Sequence, residues 1–212
     1  MPAYVRPAIA VPPFLDDEGR PYGGRWGSGS PPEDSYSVVS HPERFGPLHA
    51  VGDALVAWLV HEFDAVAEES AEVAADFLHP PTDVVRAVRV TPSAEAAAPL
   101  TFVFASFPGI LVHAGFLFED RYPSCGCDAC DEEWDSTATE LERAVGAVVS
   151  GGFSEAYAPD AELPVWFRLV RPDGWRGGSS RADAFPADLL TRVRPLLTPA
   201  RAWSAWPPRR VA

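Results

Sequence analysis

All the cysteines of this 212-residue chain lie within six positions, in the string Pro123-Ser124-Cys125-Gly126-Cys127-Asp128-Ala129-Cys130-Asp131. Deprotonated, such thiols are soft donors of the kind that hold zinc. A C-x-x-C pair in a turn lets two thiolates reach one tetrahedral ion while local amides hydrogen-bond to sulfur. Cys127 and Cys130 supply that pair, Cys125 a third ligand, and Gly126 the freedom for a tight turn. Zinc then requires a fourth donor. The turn itself offers Asp128 or Asp131, the preceding apolar segment offers His113, and His41, His49, His61 and His79 lie further upstream. The candidate metal set is Cys125, Cys127, Cys130 and His113, with zinc fixing the turn. No H-x3-5-H pair completes a bipartite finger, and a histidine on an apolar strand also reads as a hydrogen-bonded, partly buried side chain.

Two other chemistries compete for the same atoms. Thiol-disulfide exchange at Cys127-Asp128-Ala129-Cys130 would need a helix N-terminus to acidify the first thiol. The layout compares with thioredoxin-like proteins, in that an apolar strand precedes the motif, a helix follows it, and Leu163-Pro164-Val165 opens a later strand. Against this, Asp128, Asp131, Glu132 and Glu133 would raise a thiol pKa, and no strand is evident between the second helix and Pro164. A zinc deaminase would pair His41-Pro42-Glu43 with a P-C-x-x-C motif, but Gly126 precedes Cys127 and helix initiation already accounts for His41 and Glu43.

The elements that must position the cluster are legible from periodicity. Ser40-His41-Pro42-Glu43 has the form of a capping box opening a long helix, along which Phe45, Leu48, Gly52, Leu55, Leu59, Phe63 and Val66 recur at steps of three and four. The helix is expected to end near Phe77, before Pro80-Pro81, with the acids from Glu62 to Glu72 on a solvated face. Strands are expected at Val84 to Thr91, Leu100 to Phe107 and Ile110 to Phe118. The last two should pair as a hairpin across Phe107-Pro108-Gly109. Thr137-Ala138-Thr139-Glu140 reads as the cap of a second helix ending at Gly151-Gly152. Val165 to Arg171 reads as a strand, Pro172-Asp173-Gly174 as a turn into a weaker return strand, and Pro186 to Arg194 as a short helix. This order predicts an α+β fold, with helices packed on a largely antiparallel sheet. Residues 1–39 form an irregular Pro/Gly-rich arm and residues 40–198 the domain with its Cys-rich turn at 123–131. Residues 199–212 are a Pro/Trp tail, packed down by Trp203 and Trp206.

Composition narrows the function. With 17 basic residues against 30 acidic ones the net charge is −13, so phosphate neutralisation has no general electrostatic support and no nucleic-acid partner is expected. All the basic residues are Arg; without lysine, a phosphate-loop lysine and a Schiff-base enzyme are both excluded. There is neither a G-x-S-x-G elbow nor a G-x-G-x-x-G turn after a strand. No window is apolar enough to span a bilayer, and prolines interrupt any signal-peptide core. Together with clustered, unframed cysteines, this leads to an expected cytoplasmic location.

The segments Pro31-Pro32-Glu33-Asp34-Ser35-Tyr36-Ser37-Val38 and Ser40-His41-Pro42-Glu43-Arg44-Phe45, together with the CGCDACDE string, resemble an uncharacterised actinobacterial protein family, a domain of unknown function. The resemblance covers most of the chain and implies no activity, ligand or catalytic residue. The residues therefore lead to a non-catalytic regulatory or interaction module with a structural zinc turn, whose acidic surface favours a basic protein partner. The alternative is a thiol-disulfide oxidoreductase using Cys127 and Cys130.

Overall fold

The computed structural model describes residues 3–210 and has an α+β architecture built on two antiparallel sheets. The first is a five-stranded meander, β1 (Ala65–Glu69), β2 (Val84–Pro92), β3 (Leu100–Ala105), β4 (Ile110–Ala114) and β5 (Phe118–Tyr122), in spatial order β1-β2-β3-β4-β5. The second contains β6 (Phe153–Tyr157), β7 (Val165–Arg171), β8 (Gly174–Ser180) and the short β9 (Arg201–Ala202), in order β8-β7-β6-β9. Helices α1 (Pro47–Glu62), α2 (Trp134–Val149) and α3 (Ala187–Leu197) pack against them. Among the described residues no helix is long and apolar enough to cross a membrane.

Strand β3, Leu-Thr-Phe-Val-Phe-Ala, is buried at every position because both of its faces are covered. Phe102 and Phe104 join the main core with Leu48, Leu55 and Leu59 of α1. Val103 packs on the other face with Val73 and Phe77. Helix α2 continues that core through Leu141, Val145 and Val148. Phe118 meets Phe153 and Phe167 at centroid distances of 5.6 and 4.8 Å, tying the two sheets together. Trp203 and Trp206 are buried, and their indole N–H groups donate to Glu155 and to the Ala98 carbonyl.

The hairpin at Phe107-Pro108-Gly109 joins β3 to β4 as expected, and Pro172-Asp173-Gly174 turns β7 into β8. The long first helix does not form as one piece. Pro42–Phe45 is a 3-10 turn, α1 begins at Pro47, and the chain breaks after Glu62 into β1 and then a 3-10 segment, Ala71–Asp76. Strand β1 instead pairs antiparallel with β2 from Ala65↔Pro92 to Glu69↔Val88, an arrangement that sets Glu68 by Arg89 and Glu69 by Arg86. The expected strand to Phe118 likewise ends at Ala114; a turn through Gly115 then feeds β5. Helix α2 starts at Trp134, one residue after Glu133, so Thr137 lies inside it rather than capping it. Strand β6 fills the stretch that periodicity left without a strand, and α3 runs through Pro195 to Leu197.

Candidate metal centre

The cysteine turn hangs between the end of β5 and the start of α2, so it is anchored at both ends by packed elements. Gly126 turns the chain with φ +80°, and a Cβ there would lie 2.8 Å from the Phe107 ring. Any side chain at this position would therefore be strained in backbone and in space. The result is that the Sγ atoms of Cys125, Cys127 and Cys130 lie within 4.8 Å of one another. Zn–S bonds of about 2.3 Å place tetrahedral sulfurs about 3.8 Å apart, so little adjustment would close the three sulfurs on one ion. Cys127 is buried, Cys125 and Cys130 are exposed, and none is in a disulfide.

The turn's acids are occupied elsewhere. Glu132 folds back and accepts from the backbone N–H groups of Ser124, Cys125 and Gly126 at 2.9, 3.0 and 2.7 Å, and from the Ser124 hydroxyl at 2.8 Å. Burial alone would raise its carboxyl; these donors outweigh burial and hold it below the ordinary glutamate value. Asp128 accepts from the Ser40 hydroxyl at 2.5 Å and from Tyr22 at 3.4 Å. Asp131, with φ +52°, accepts from the Arg25 backbone N–H and Nε at 2.8 and 2.5 Å. Arg44, 1% exposed, donates to the carbonyls of Gly126, His41 and Glu132. The Tyr22 ring lies between the two guanidiniums, Arg25 at 3.7 Å and Arg44 at 4.3 Å from its centroid. Such cation–π contacts are favourable and strongest where water is excluded.

The N-terminal arm is thus part of the site. The amides of Asp128 and Ala129 donate to the Val38 and Ser35 carbonyls, and Trp26 Nε1 reaches the carbonyls of Asp128 and Ala129. The periodicity reading missed this clamp because its signal is isolated aromatic and arginine side chains in a Gly-rich stretch.

Burial pushes the Cys127 thiol up, but hydrogen bonds from Cys125, from the Cys130 backbone and thiol, and from the Ser37 N–H outweigh it and bring it to about 7. Sharing its proton with the Cys127 sulfur, and its own burial, push Cys130 up to about 12.

His113 does not join that cluster. Its register opposite Glu119 places it three positions along β4 from Ile110, which faces Tyr122 at the end where the turn departs. Its Nε2 faces the Gly115 carbonyl at 3.2 Å and its Nδ1 lies 3.4 Å from Glu119. His41 pairs with Glu43 in the 3-10 turn, so the deaminase arrangement is not assembled. Among the described residues, no carboxylate or imidazole sits with the three sulfurs at metal-ligand spacing. Cys125 does line a groove of about 440 Å³, as does the exposed His79.

The family model described as "Family of unknown function (DUF6226)" matches residues 10–210. No curated protein matches the chain, and no solved structure does.

Proposed function

The chain belongs to this DUF6226 family of unknown function, and from that premise we propose that it is a zinc-dependent, non-catalytic interaction module of the cytoplasm. In this reading Cys125, Cys127 and Cys130 hold the ion. The observation that carries it is the approach of three sulfurs to within 4.8 Å in a turn whose own carboxylates are engaged by arginines, hydroxyls and backbone amides. A turn built for another purpose would not need three thiols packed together, since like donors at this spacing repel once ionised. The ion would supply the positive charge that lets all three stay deprotonated.

The fourth position falls to a ligand from solution, because the nearby acids and His113 have other partners. With the sulfurs anchored through the arm and α2, the ion would lock the arm onto the domain. The acidic surface that remains suits a partner with a basic face.

The arrangement supports thiol-disulfide exchange less well. Cys127, the thiol brought to about 7, is the buried one, whereas an attacking thiolate must be reachable. Moreover α2 begins at Trp134, four positions beyond Cys130, so the motif does not sit at the helix N-terminus as exchange chemistry needs.

The test is a competition between the reduced protein and a chromophoric zinc chelator. The proposal expects about one zinc held per chain against the chelator, and loss of that zinc in Cys127→Ser. Equal zinc uptake by the wild type and Cys127→Ser would overturn it.

A further inference from the structure

The free edge of the second sheet carries an inference that is independent of the metal. We propose that β8 is a docking edge for an extended protein segment in which one carboxylate stands between two apolar residues at alternate positions. The segment would add as a further strand beside β8, with its carboxylate toward Arg168 and an apolar side chain beside Trp175.

In the order β8-β7-β6-β9, β8 is the terminal strand, and it pairs with β7 over seven positions, from Val165↔Ser180 to Arg171↔Gly174, without a bulge. Its outward N–H and C=O groups have no backbone partner among the described residues. Proteins blunt such edges with charges, prolines or bulges, because an open edge templates strand addition. The outer strands of the first sheet follow that rule: β1 carries Glu68 and Glu69, and β5 the run Glu119-Asp120-Arg121. Strand β8, Gly-Trp-Arg-Gly-Gly-Ser-Ser, does not, and its one charge, Arg176, is tied to Asp120.

Beside this edge lies a face that suits an acid. Register sets Trp166, Arg168 and Val170 of β7 opposite Ser179, Gly177 and Trp175 of β8, all on one face of the sheet. That face is turned to solvent, with Trp175 65% and Val170 47% exposed and Arg168 exposed as well. Along these two strands it carries no carboxylate, in a chain of net charge −13. The other arginines on and next to β7 and β8, namely Arg171, Arg176 and Arg181, pair with Glu140, Asp120 and Asp183. Arg168 has no acidic partner among the described residues. The Trp175 ring lies over Gly177, its Cζ3 3.2 Å from where a Cβ would stand, and the Arg168 Cζ is 4.9 Å from the centre of that ring. The charge is thus carried from β7 over to β8. An added strand would run about 4.8 Å beyond β8, which brings a glutamate side chain on this face within reach of the guanidinium. A second copy of this chain fits less well, because pairing β8 with β8 joins two chains of net charge −13 and offers Arg168 no carboxylate.

The experiment follows the fluorescence anisotropy of a labelled peptide, Thr-Val-Thr-Glu-Thr-Val-Thr, titrated with the full chain. Its palindromic order presents the same side-chain pattern in either strand direction. The proposal expects saturable binding that weakens about fivefold when the central Glu is replaced by Lys. In Arg168→Glu, a change at an exposed position, the preference should reverse toward the Lys peptide. Methylating the peptide's amide nitrogens tests the edge, because alternate N–H groups of a strand face opposite sides. Methyl groups on one alternate set should abolish binding, and on the other set they should be tolerated. No binding, equal binding of the Glu and Lys peptides by the wild type, an unchanged preference in Arg168→Glu, or equal loss with both methylated sets would each overturn the proposal. So would a dimer in sedimentation velocity that Trp175→Ala dissociates, since a second copy would then hold the edge.

Discussion

The buried guanidinium of Arg44 donates to the carbonyl of Gly126 at 2.7 Å, reaching the residue between the first two cysteines from the 3-10 turn that precedes α1. The same group spans His41 and Glu132, so one side chain connects the arm, the cysteine turn and the entry to α2. Its charge is balanced in part by Asp128, 3.7 Å away. Burial lowers the Arg44 pKa from its ordinary value, yet a guanidinium remains charged at neutral pH.

Replacing Arg44 by Ala removes a buried cation, takes the side-chain donor from the Gly126 and Glu132 carbonyls, and leaves the buried Asp128 carboxylate without the guanidinium 3.7 Å away. The expected cost is about 3–5 kcal/mol of unfolding free energy, measured by urea titration. Zinc affinity should fall with it, because the Gly126 peptide loses its tether. Unchanged stability would mean that Arg44 is a passenger in this cluster.

Metal and arm should be thermodynamically linked. The Asp128 and Ala129 amides donate to Val38 and Ser35, so fixing the sulfurs also fixes residues 35–38. Hydrogen exchange followed by mass spectrometry should show slower exchange in peptides covering residues 22–41 and 123–133 when zinc is present, and faster exchange after chelation. At a zinc concentration 1,000-fold above its dissociation constant, the gain in stability should be about 4 kcal/mol.

Ser40 was legible as a helix cap, but its hydroxyl donates to Asp128 at 2.5 Å, and His41 flanks the 3-10 turn. Ser40→Ala is accordingly expected to cost about 1 kcal/mol through the lost hydrogen bond, in the urea midpoint. Far-UV circular dichroism should report unchanged helix content. A drop in helix content would restore the capping role.

Acid sensitivity has a source remote from the cysteines. Burial would raise the Asp76 carboxyl, but hydrogen bonds from Arg89 and Thr101 outweigh it and hold the group below its ordinary value. A carboxyl depressed in the folded state contributes stability that is complete above its unfolded pKa, near 3.9, and is lost as pH falls through the folded pKa. Between pH 6 and pH 3 the wild type should therefore lose more stability than Asp76→Asn. Parallel curves for the two proteins would remove Asp76 from the acid response.

What could be read in the sequence follows the range of the interactions. The β3–β4 hairpin and the β7–β8 turn depend on adjacent residues and were legible, as was the crowding of Cys125, Cys127 and Cys130. Strand β6 was not, because Glu155 interrupts its apolar pattern. That carboxylate is fully buried, accepting from the Phe116 and Leu117 amides and from Trp203, partners at least 38 positions away. Strand β1 was hidden for a related reason, since its apolar spacing continues the helical stripe and only pairing with β2 shows its state. His113 was assigned to the metal because it precedes the turn, but strand register moves it to Glu119. The arm's hold on the turn, through Arg25 on Asp131 and Ser40 on Asp128, spans 106 and 88 positions and leaves no periodic trace.

The central claim is that three cysteines hold a metal ion. Its most direct test is inductively coupled plasma mass spectrometry on protein purified without added metal or a metal-binding tag, with thiol reactivity counted before and after chelation. The account predicts about one zinc per chain and thiols that react fully only once the zinc is removed. Metal-free protein with three freely reactive thiols, unable to take up added zinc, would contradict it.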